Sequence, residues 1–391
     1  MVRLFQLQEQ CLRVMGHNMV VEPLTLSLKH IASLAFVLSA QYPLVSYALH
    51  NRDDLELITA GLSVVFTNML TVIKISTFLA YKQDYWRMIQ GFRQMYLQSR
   101  RLQHCGYDYV TPANKLATKL GKAYFFSCGF TGLYFMLTPI VMIISSNWRG
   151  VSVARELPMP MKFPFNDTVS PGYECGYVYT MIVTIVVVLY ASAVDGLFIS
   201  FAINLRAHFQ TLQDTIVQAA TDSVQLIDAI NYHVLLLDMS QRLRLIFMPI
   251  VFGQFFITSL QVGVIIYQIV THMDSVMSLL VYFSFFGSIM LQLFLYCYGG
   301  EIIKVESLQV GVAVQLSDWH LATPKQRRSL AFIMQRAQRE MIIKAGFYEA
   351  SLANFVAVRM SAPQHLHYIF TIISQICRAA LSLITLIQSI E

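Results

Sequence analysis

Residues 368–390 read YIFTIISQICRAALSLITLIQSI, an apolar run that can cross a bilayer as a helix, since the hydrocarbon core takes about 20 residues. Polar side chains interrupt the run at steps of three or four residues, which places them along one stripe of a helix. They are Ser374, Arg378, Ser382, Thr385 and Ser389. A helix surrounded by lipid gains nothing from such a stripe, whereas a helix that lines a water-filled path does. The stretch therefore indicates a channel subunit.

The whole chain has the composition of an all-α membrane protein. Of its 391 residues, 56% are hydrophobic and only 13% are charged, whereas a soluble domain usually carries about 25% charged residues. This composition disfavours disorder and nucleic-acid binding. The first thirty residues lack the pattern of a cleaved signal peptide, so we expect the first span to act as an uncleaved anchor. Hydropathy predicts seven spans, at 31–49, 55–79, 124–145, 177–201, 246–270, 276–298 and 368–390.

Basic residues predict how the chain lies in the bilayer. The connections on one side of the predicted spans hold 22 Lys and Arg residues, and those on the other side hold 4. Because cytoplasmic connections carry the excess of basic residues, we expect a cytoplasmic N-terminus and an extracellular C-terminus. The glycosylation sequon at Asn166 falls in a connection that this count places outside.

The chain is predicted to have four parts. They are a cytoplasmic N-terminal segment (1–30), a six-helix ligand-binding membrane domain (31–300), a cytoplasmic anchor and assembly region (301–366) and a pore-lining terminal helix (367–391). The long inner connections have amphipathic helical patterns, which predicts a helical cytoplasmic base where subunits meet. The alternative is a monomer whose loops lie on the lipid surface. The proline-rich connection 146–176 predicts an outer cap without long helices.

Stripes of aromatic, Met and hydroxyl side chains mark the outer halves of several spans. If they face inward, they form a mainly apolar pocket with a few hydrogen-bonding groups, which suits a small volatile molecule. The alternative is ordinary packing between membrane helices, where Ser, Thr and Met are common. The candidate ligand-binding residues are Thr59, Ser63, Phe66, Tyr134, Thr138, Met142, Tyr177, Met181, Thr184, Tyr282 and Phe285.

No motif indicates an enzyme, a cofactor or a metal site. The chain contains no Gly-rich phosphate loop, no Ser–His–Asp arrangement and no zinc spacing, and its six cysteines show no paired spacing. Two further ionisable residues fall within predicted spans. Lys74 lies about one turn from an inner end and can reach the interface, and Asp195 can pair or meet water. We interpret both charges as satisfied by nearby groups and not as parts of an ion-binding site.

Two stretches resemble the insect odorant receptors, which are ligand-gated cation channels. The first is YCYGGE at 296–301, followed by Glu306, Ser307, Ser317 and Trp319, which we assign to assembly. The second is the terminal stretch 379–391. The sequence departs from the family pattern at Gln315, where a Tyr is usual, and in 355–373, which looks about fifteen residues longer than expected. The resemblance implies an odorant-tuning subunit that forms a heterotetramer with the shared odorant co-receptor in the plasma membrane of an olfactory sensory neuron.

The same resemblance implies a pore surrounded by four terminal helices. The hydrophobic gate of the family corresponds to Leu386, with Ser389 one turn outward, and Ser382 shares their helical face. An apolar ring at this point blocks hydrated ions by dewetting. The candidate pore and gate residues are Ser382, Thr385, Leu386, Ser389 and Arg378.

The predicted function is that of the odorant-binding subunit of a ligand-gated non-selective cation channel. A G-protein-coupled receptor is one alternative, but it needs the opposite orientation. The sequence also lacks an Asp/Glu-Arg-Tyr triplet after the third span and an Asn-Pro-x-x-Tyr motif in the seventh. A gustatory receptor of the same superfamily is the other alternative, and dependence on the odorant co-receptor separates it from an odorant receptor.

Overall fold

The computed structural model describes residues 4–17, 28–102, 107–149, 155–272, 276–346 and 348–355. Within these residues the protein is almost entirely helical, with one antiparallel pair of two-residue strands in which Lys344 pairs with Glu349. The predicted pore helix, 368–390, lies outside the described residues. The elements are α1 (Gln6–Val14), α2 (Leu28–Ser39), α3 (Gln41–His50), α4 (Leu55–Ala80), α5 (Lys82–Leu102), α6 (Val110–Arg149), α7 (Gly172–Ala219), α8 (Ser223–Thr271), α9 (Val276–Leu316), α10 (Pro324–Ala337), β1 (Lys344–Ala345) and β2 (Tyr348–Glu349).

Six helical segments of the described chain are long and apolar enough to cross a membrane. Each contains most or all of one of the first six predicted spans. The first is broken, because α2 ends at Ser39 and α3 begins at Gln41; Pro43 has no N–H to continue the hydrogen bonds of α2. The segments are Leu28–His50, Leu55–Ala80, Val110–Trp148, Gly172–Ala219, Ser223–Thr271 and Leu279–Leu316.

Four helices continue far beyond the thickness of a bilayer. The helix α7 has 48 residues, which is about 72 Å at 1.5 Å per residue, against a hydrocarbon core of about 30 Å. A tight turn joins it to α8, where the Asp222 carboxylate caps the new helix by accepting from the N–H groups of Val224 and Gln225. The expected helical base is therefore built from extensions of the spans, and its cytoplasmic location stays a prediction. We define the end of the molecule at this turn as the inner end and the end at the loop 155–171 as the outer end.

The centre of the molecule is α7, which packs against α6, α8 and α9. Every residue from 190 to 205 is buried, including the charged Asp195. A helix that is enclosed on all sides must satisfy each polar group within the protein. The contacts of Asp195 are therefore the first place to look for a built site.

Candidate ligand-binding cavity

A cavity of about 110 Å³ lies between α4, α6, α7, α8 and α9, beneath the outer loop. A water-sized molecule needs about 10–15 Å³ on this measure, so the cavity has room for roughly seven to eleven of them, comparable to a small organic molecule. Most of its wall is aliphatic or aromatic. The lining residues are Val64, Thr67, Leu70, Thr71, Lys74, Tyr124, Cys128, Thr131, Gly132, Phe135, Met159, Thr184, Val187, Val188, Ala191, Gln261, Phe285, Ser288, Ile289 and Gln292.

The outer loop closes the cavity on one side. In the described part of the predicted cap, residues 155–171 contain no helix. Met159 lines the cavity, and its sulfur lies 3.8 Å from Thr184 Oγ1. Met161 is buried and its sulfur accepts from Thr180 Oγ1 at 3.7 Å. Two flexible thioethers therefore seat the loop on α7, which suits an adaptable cover.

Several polar groups on the wall are already bonded within the protein. Thr67 Oγ1 donates to the carbonyl of Ser63 at 3.1 Å and accepts from Gln261 Nε2 at 2.8 Å, which ties α4 to α8. Ser288 Oγ lies 2.9 Å from Thr131 Oγ1, which ties α9 to α6. These groups hold the helices together while the space between them remains mainly apolar.

The inner end of the cavity carries a buried charged cluster. Asp195 Oδ2 accepts hydrogen bonds from Lys74 Nζ at 2.7 Å, Tyr124 Oη at 2.7 Å and Gln292 Nε2 at 2.6 Å. Asp195 Oδ1 accepts from Tyr296 Oη at 2.6 Å. The side chains of Lys74 and Asp195 are 1% and 0% exposed. We call these five residues the inner polar cluster.

This cluster corrects the interpretation of Lys74 as a residue that reaches the membrane interface. Its ammonium turns inward and pairs with a residue of another span. A signal was present in the sequence, because Lys74 and Asp195 lie five and six residues before the inner ends of predicted spans 55–79 and 177–201. Opposite charges at the same depth of two spans are expected to pair, because an isolated charge there is costly.

The hydroxyl of Tyr85, at the start of α5, lies buried near this cluster. Burial first, and the negative charge of Asp195 second, raise the pKa of Tyr85 well above its ordinary value. The phenol therefore stays neutral, so that the charges in this region are those of Lys74 and Asp195.

Two of the eleven candidate ligand-binding residues, Thr184 and Phe285, line the cavity, and the other nine do not. On α4, Thr59 and Ser63 are buried against α8. Thr59 Oγ1 donates to the carbonyl of Leu55 and accepts from Gln268 Nε2. Ser63 donates to the carbonyl of Ala60, and Phe66 is half-buried away from the cavity. Their stripe faces another helix instead of the cavity.

The candidates on α6, Tyr134, Thr138 and Met142, do not line the cavity. The outer half of this helix has an exposed apolar side. Met142 is 41% exposed, as are neighbours such as Leu137 at 44%. Thr138 Oγ1 donates to the carbonyl of Tyr134 within the helix. A lipid-facing surface explains this exposure in a membrane protein.

The remaining three candidates lie on α7 and α9. Tyr177 Oη donates to the carbonyl of Met136, and Met181 is half-buried. The ring of Tyr282 packs against that of His272 with centroids 5.1 Å apart. Tyr177 and Tyr282 therefore make contacts between elements at the outer end.

The candidate assembly residues lie in the helical base and differ in their accessibility. Glu306 is buried and accepts from Arg206 Nε at 3.1 Å and Gln210 Nε2 at 2.8 Å. Ser307 Oγ accepts from the N–H of residue 341 at 3.1 Å, and Ser317 donates to the carbonyl of residue 314. These three residues hold the base of a single chain together, whereas Trp319 is 49% exposed.

The other sequence-predicted site residues are one loop asparagine and the pore set. Asn166 is exposed in the outer loop, where its Oδ1 accepts from Thr168 Oγ1 at 2.8 Å. The pore and gate candidates lie outside the described residues, and they stay predictions.

Similarity to known proteins agrees with this architecture. Residues 54–362 match the model of the family described as 7tm Odorant receptor. The chain is 62% identical to Odorant receptor 82a of Drosophila melanogaster, with all of both chains covered. It is 28% identical to Odorant receptor 47a of the same fly, with 90% of both covered.

A solved structure shows the same fold. The insect olfactory receptor OR5 from Machilis hrabei, in complex with eugenol, superposes with a TM-score of 0.76 at 16% identity, covering 94% of this chain and 97% of that one. Fold and cavity thus define a multi-pass helical membrane protein with an internal cavity. The chain belongs to the 7tm odorant receptor family. It is an odorant receptor, of a family of channels rather than enzymes, and the G-protein-coupled alternative finds no support.

Proposed function

We propose that this chain is the odorant-binding subunit of a heteromeric, ligand-gated, non-selective cation channel, and that the volatile ligand occupies the cavity beneath the outer loop. The observation that carries the proposal is the cavity itself, which lies between five helices, is mainly apolar and is sized for roughly ten heavy atoms. The related OR5 was solved in complex with eugenol, itself a small aromatic molecule.

Opening of the channel follows from a difference in ligand affinity between its closed and open states. A ligand shifts the channel toward the open state only if it binds that state more tightly. The cavity is bounded by four of the longest helices, and these continue into the helical base. Small helix movements are thereby transmitted to the predicted pore, where the terminal helices separate at Leu386 and the apolar gate wets.

The proposed partner is the shared odorant co-receptor, in a heterotetramer at the plasma membrane of an olfactory sensory neuron. The exposed Trp319 on the base is suited to an interface, since aromatic side chains are enriched there. With the predicted orientation, an epitope at the C-terminus is labelled in unpermeabilised cells and one at the N-terminus is not. The reverse labelling would overturn the orientation.

The test is current recording over a panel of volatile compounds in cells that express this chain with the co-receptor. We expect currents that require both chains. A volatile-evoked current without the co-receptor would favour the gustatory alternative, and surface-labelled complexes that stay silent to every volatile would refute the proposal.

Two glycines on α6 provide a matched pair of variants for the cavity. A Cβ at Gly132 meets Thr184 Cγ2 and Val188 Cγ2 at 3.2 Å on the cavity wall, whereas a Cβ at Gly129 meets nothing within 4 Å. Leucine raises helix propensity equally at both positions. We expect Gly132→Leu to abolish or strongly weaken volatile responses while Gly129→Leu preserves them at equal surface expression. Equal responses would place the ligand elsewhere.

A further inference from the structure

The inner polar cluster has a formal charge of zero, which constrains what can bind beside it. Lys74 is the one charged side chain among the described residues that line the cavity, and Asp195 sits behind it, fully buried. The two charges compensate each other at 2.7 Å. A charged ligand would add a buried charge without a partner, which is costly. The cluster therefore favours uncharged ligands.

Most acceptors of the cluster are already used. Each carboxylate oxygen offers about two lone-pair directions; Asp195 Oδ2 accepts three hydrogen bonds and is saturated, and Oδ1 accepts one. Gln292 Oε1 accepts from Gln254 Nε2 at 3.0 Å. A ligand that offers only a hydrogen donor thus finds most acceptor positions of the inner polar cluster occupied.

The donors of the cluster are not all used. An ammonium group has three N–H donors, and Lys74 Nζ makes one hydrogen bond, to Asp195. By contrast, wall hydroxyls such as those of Thr71 and Thr184 donate to carbonyls of their own helices. Gln292 Nε2 likewise uses one of its two N–H donors, on Asp195. Lys74 has two unused donors on a charged group, so it gains more free energy from a further acceptor than Gln292 does.

We propose that the ligands of this receptor are uncharged volatile molecules with a hydrogen-bond-accepting oxygen, such as a carbonyl, and that Lys74 donates to that oxygen at the inner end of the cavity. The inference rests on the proposed function, because it assumes that the ligand occupies this cavity. The apolar remainder of the wall, from Val64 to Phe285, takes the hydrocarbon part of the ligand.

The experiment compares matched ligands on one receptor. Ketones or esters of six to ten heavy atoms are applied beside alkanes of the same length, with this chain and the co-receptor at the cell surface. A hydrogen bond to a charged donor predicts that the oxygen-bearing member is about ten- to hundredfold more potent on the wild type. This ratio decides the ligand class without any variant. A ratio near one, or activation confined to volatiles without an acceptor oxygen, would overturn the inference.

The assignment to Lys74 is tested by removing the ion pair as a unit. In Lys74→Met with Asp195→Asn, we expect the potency ratio to fall toward one while responses to the alkanes persist. The control is Lys304→Met with Glu349→Gln, which removes an ion pair of 2.9 Å remote from the cavity and should leave the ratio unchanged. A double variant that keeps the wild-type ratio would exclude Lys74 as the donor.

These outcomes separate the inference from the proposed function. If surface-labelled complexes give no current with any volatile, the proposed function fails. If they respond but do not discriminate the matched ligands, the function stands and only the role of Lys74 is lost.

Discussion

Replacing Asp195 by asparagine should destabilise the protein more than any other single change in the inner polar cluster. The carboxylate accepts from four donors, and Lys74 is 1% exposed beside it. An asparagine amide offers one acceptor oxygen in place of two and brings two donors of its own. The substitution therefore leaves the ammonium without its counter-charge and leaves some hydroxyl and amide donors without an acceptor.

The expected loss of folding stability follows from the partners that each substitution removes. Breaking a buried ion pair by removing one partner costs about 3–5 kcal/mol. We place Asp195→Asn at the upper end, because the charge left behind is an ammonium whose carboxylate acceptor is lost. We place Lys74→Met at the lower end, because Asp195 keeps three neutral donors, from Tyr124, Gln292 and Tyr296. The double replacement should cost about 1–3 kcal/mol less than the sum of the two single replacements, because the two side chains are in contact.

The assay is equilibrium unfolding of the purified chain in mixed detergent micelles, followed by tryptophan fluorescence. The matched control is Lys304→Met, since Lys304 is 27% exposed and pairs with Glu349 at 2.9 Å; a pair in contact with water contributes about 1 kcal/mol or less. The reasoning is refuted if Asp195→Asn and Lys304→Met have equal free energies of unfolding. It is also refuted if the double replacement is as unstable as the sum of its parts.

Three further changes have defined outcomes. Phe285→Ala removes a ring that lines the cavity and packs edge-on against Phe135. Dose–response curves should show a higher potency of bulkier volatiles, and an unchanged size preference would contradict the cavity assignment. Leu386→Ser should raise the unliganded current because a polar ring does not dewet; whole-cell recording without ligand measures it, and an unchanged basal conductance counts against the gate. Glu306→Gln removes the carboxylate partner of Arg206 in the helical base and should lower the free energy of unfolding by about 1–3 kcal/mol, whereas a neutral result would show that the base does not depend on this charge.

Much of the fold follows from the sequence because membrane spans are local features. A run of about 20 apolar residues is sufficient to predict a span, and the six predicted spans within the described residues all coincide with apolar helices. The break between α2 and α3 at residue 40 was not predicted, although Pro43 carries the signal. The amphipathic inner connections predicted helices that could extend the spans, and α7 and α8 do continue without interruption into the base.

The cavity was far less predictable. Helical periodicity correctly grouped Thr59 with Ser63 on one stripe, yet that stripe packs on α8, where Gln268 donates to Thr59 and Gln261 donates to the carbonyl of Ser63. Periodicity states which residues share a face, but it does not state which neighbour that face meets. Thr184 and Phe285 line the cavity because of how α7 and α9 are rotated, and no property of either segment alone determines that rotation.

The sequence by itself determined that this protein crosses the membrane repeatedly as helices and that it resembles an odorant-gated channel. Length, hydropathy and short motifs are properties of single segments, so they can be read without knowing what lies beside them. The tertiary structure alone decided which helices enclose the cavity. The sequence placed Lys74 and Asp195 at similar depths, but only the tertiary structure brings the two side chains together across 121 residues of chain. The physical reason is that a buried charge is tolerated only with a partner, and the partner is set by packing between segments that are distant in sequence.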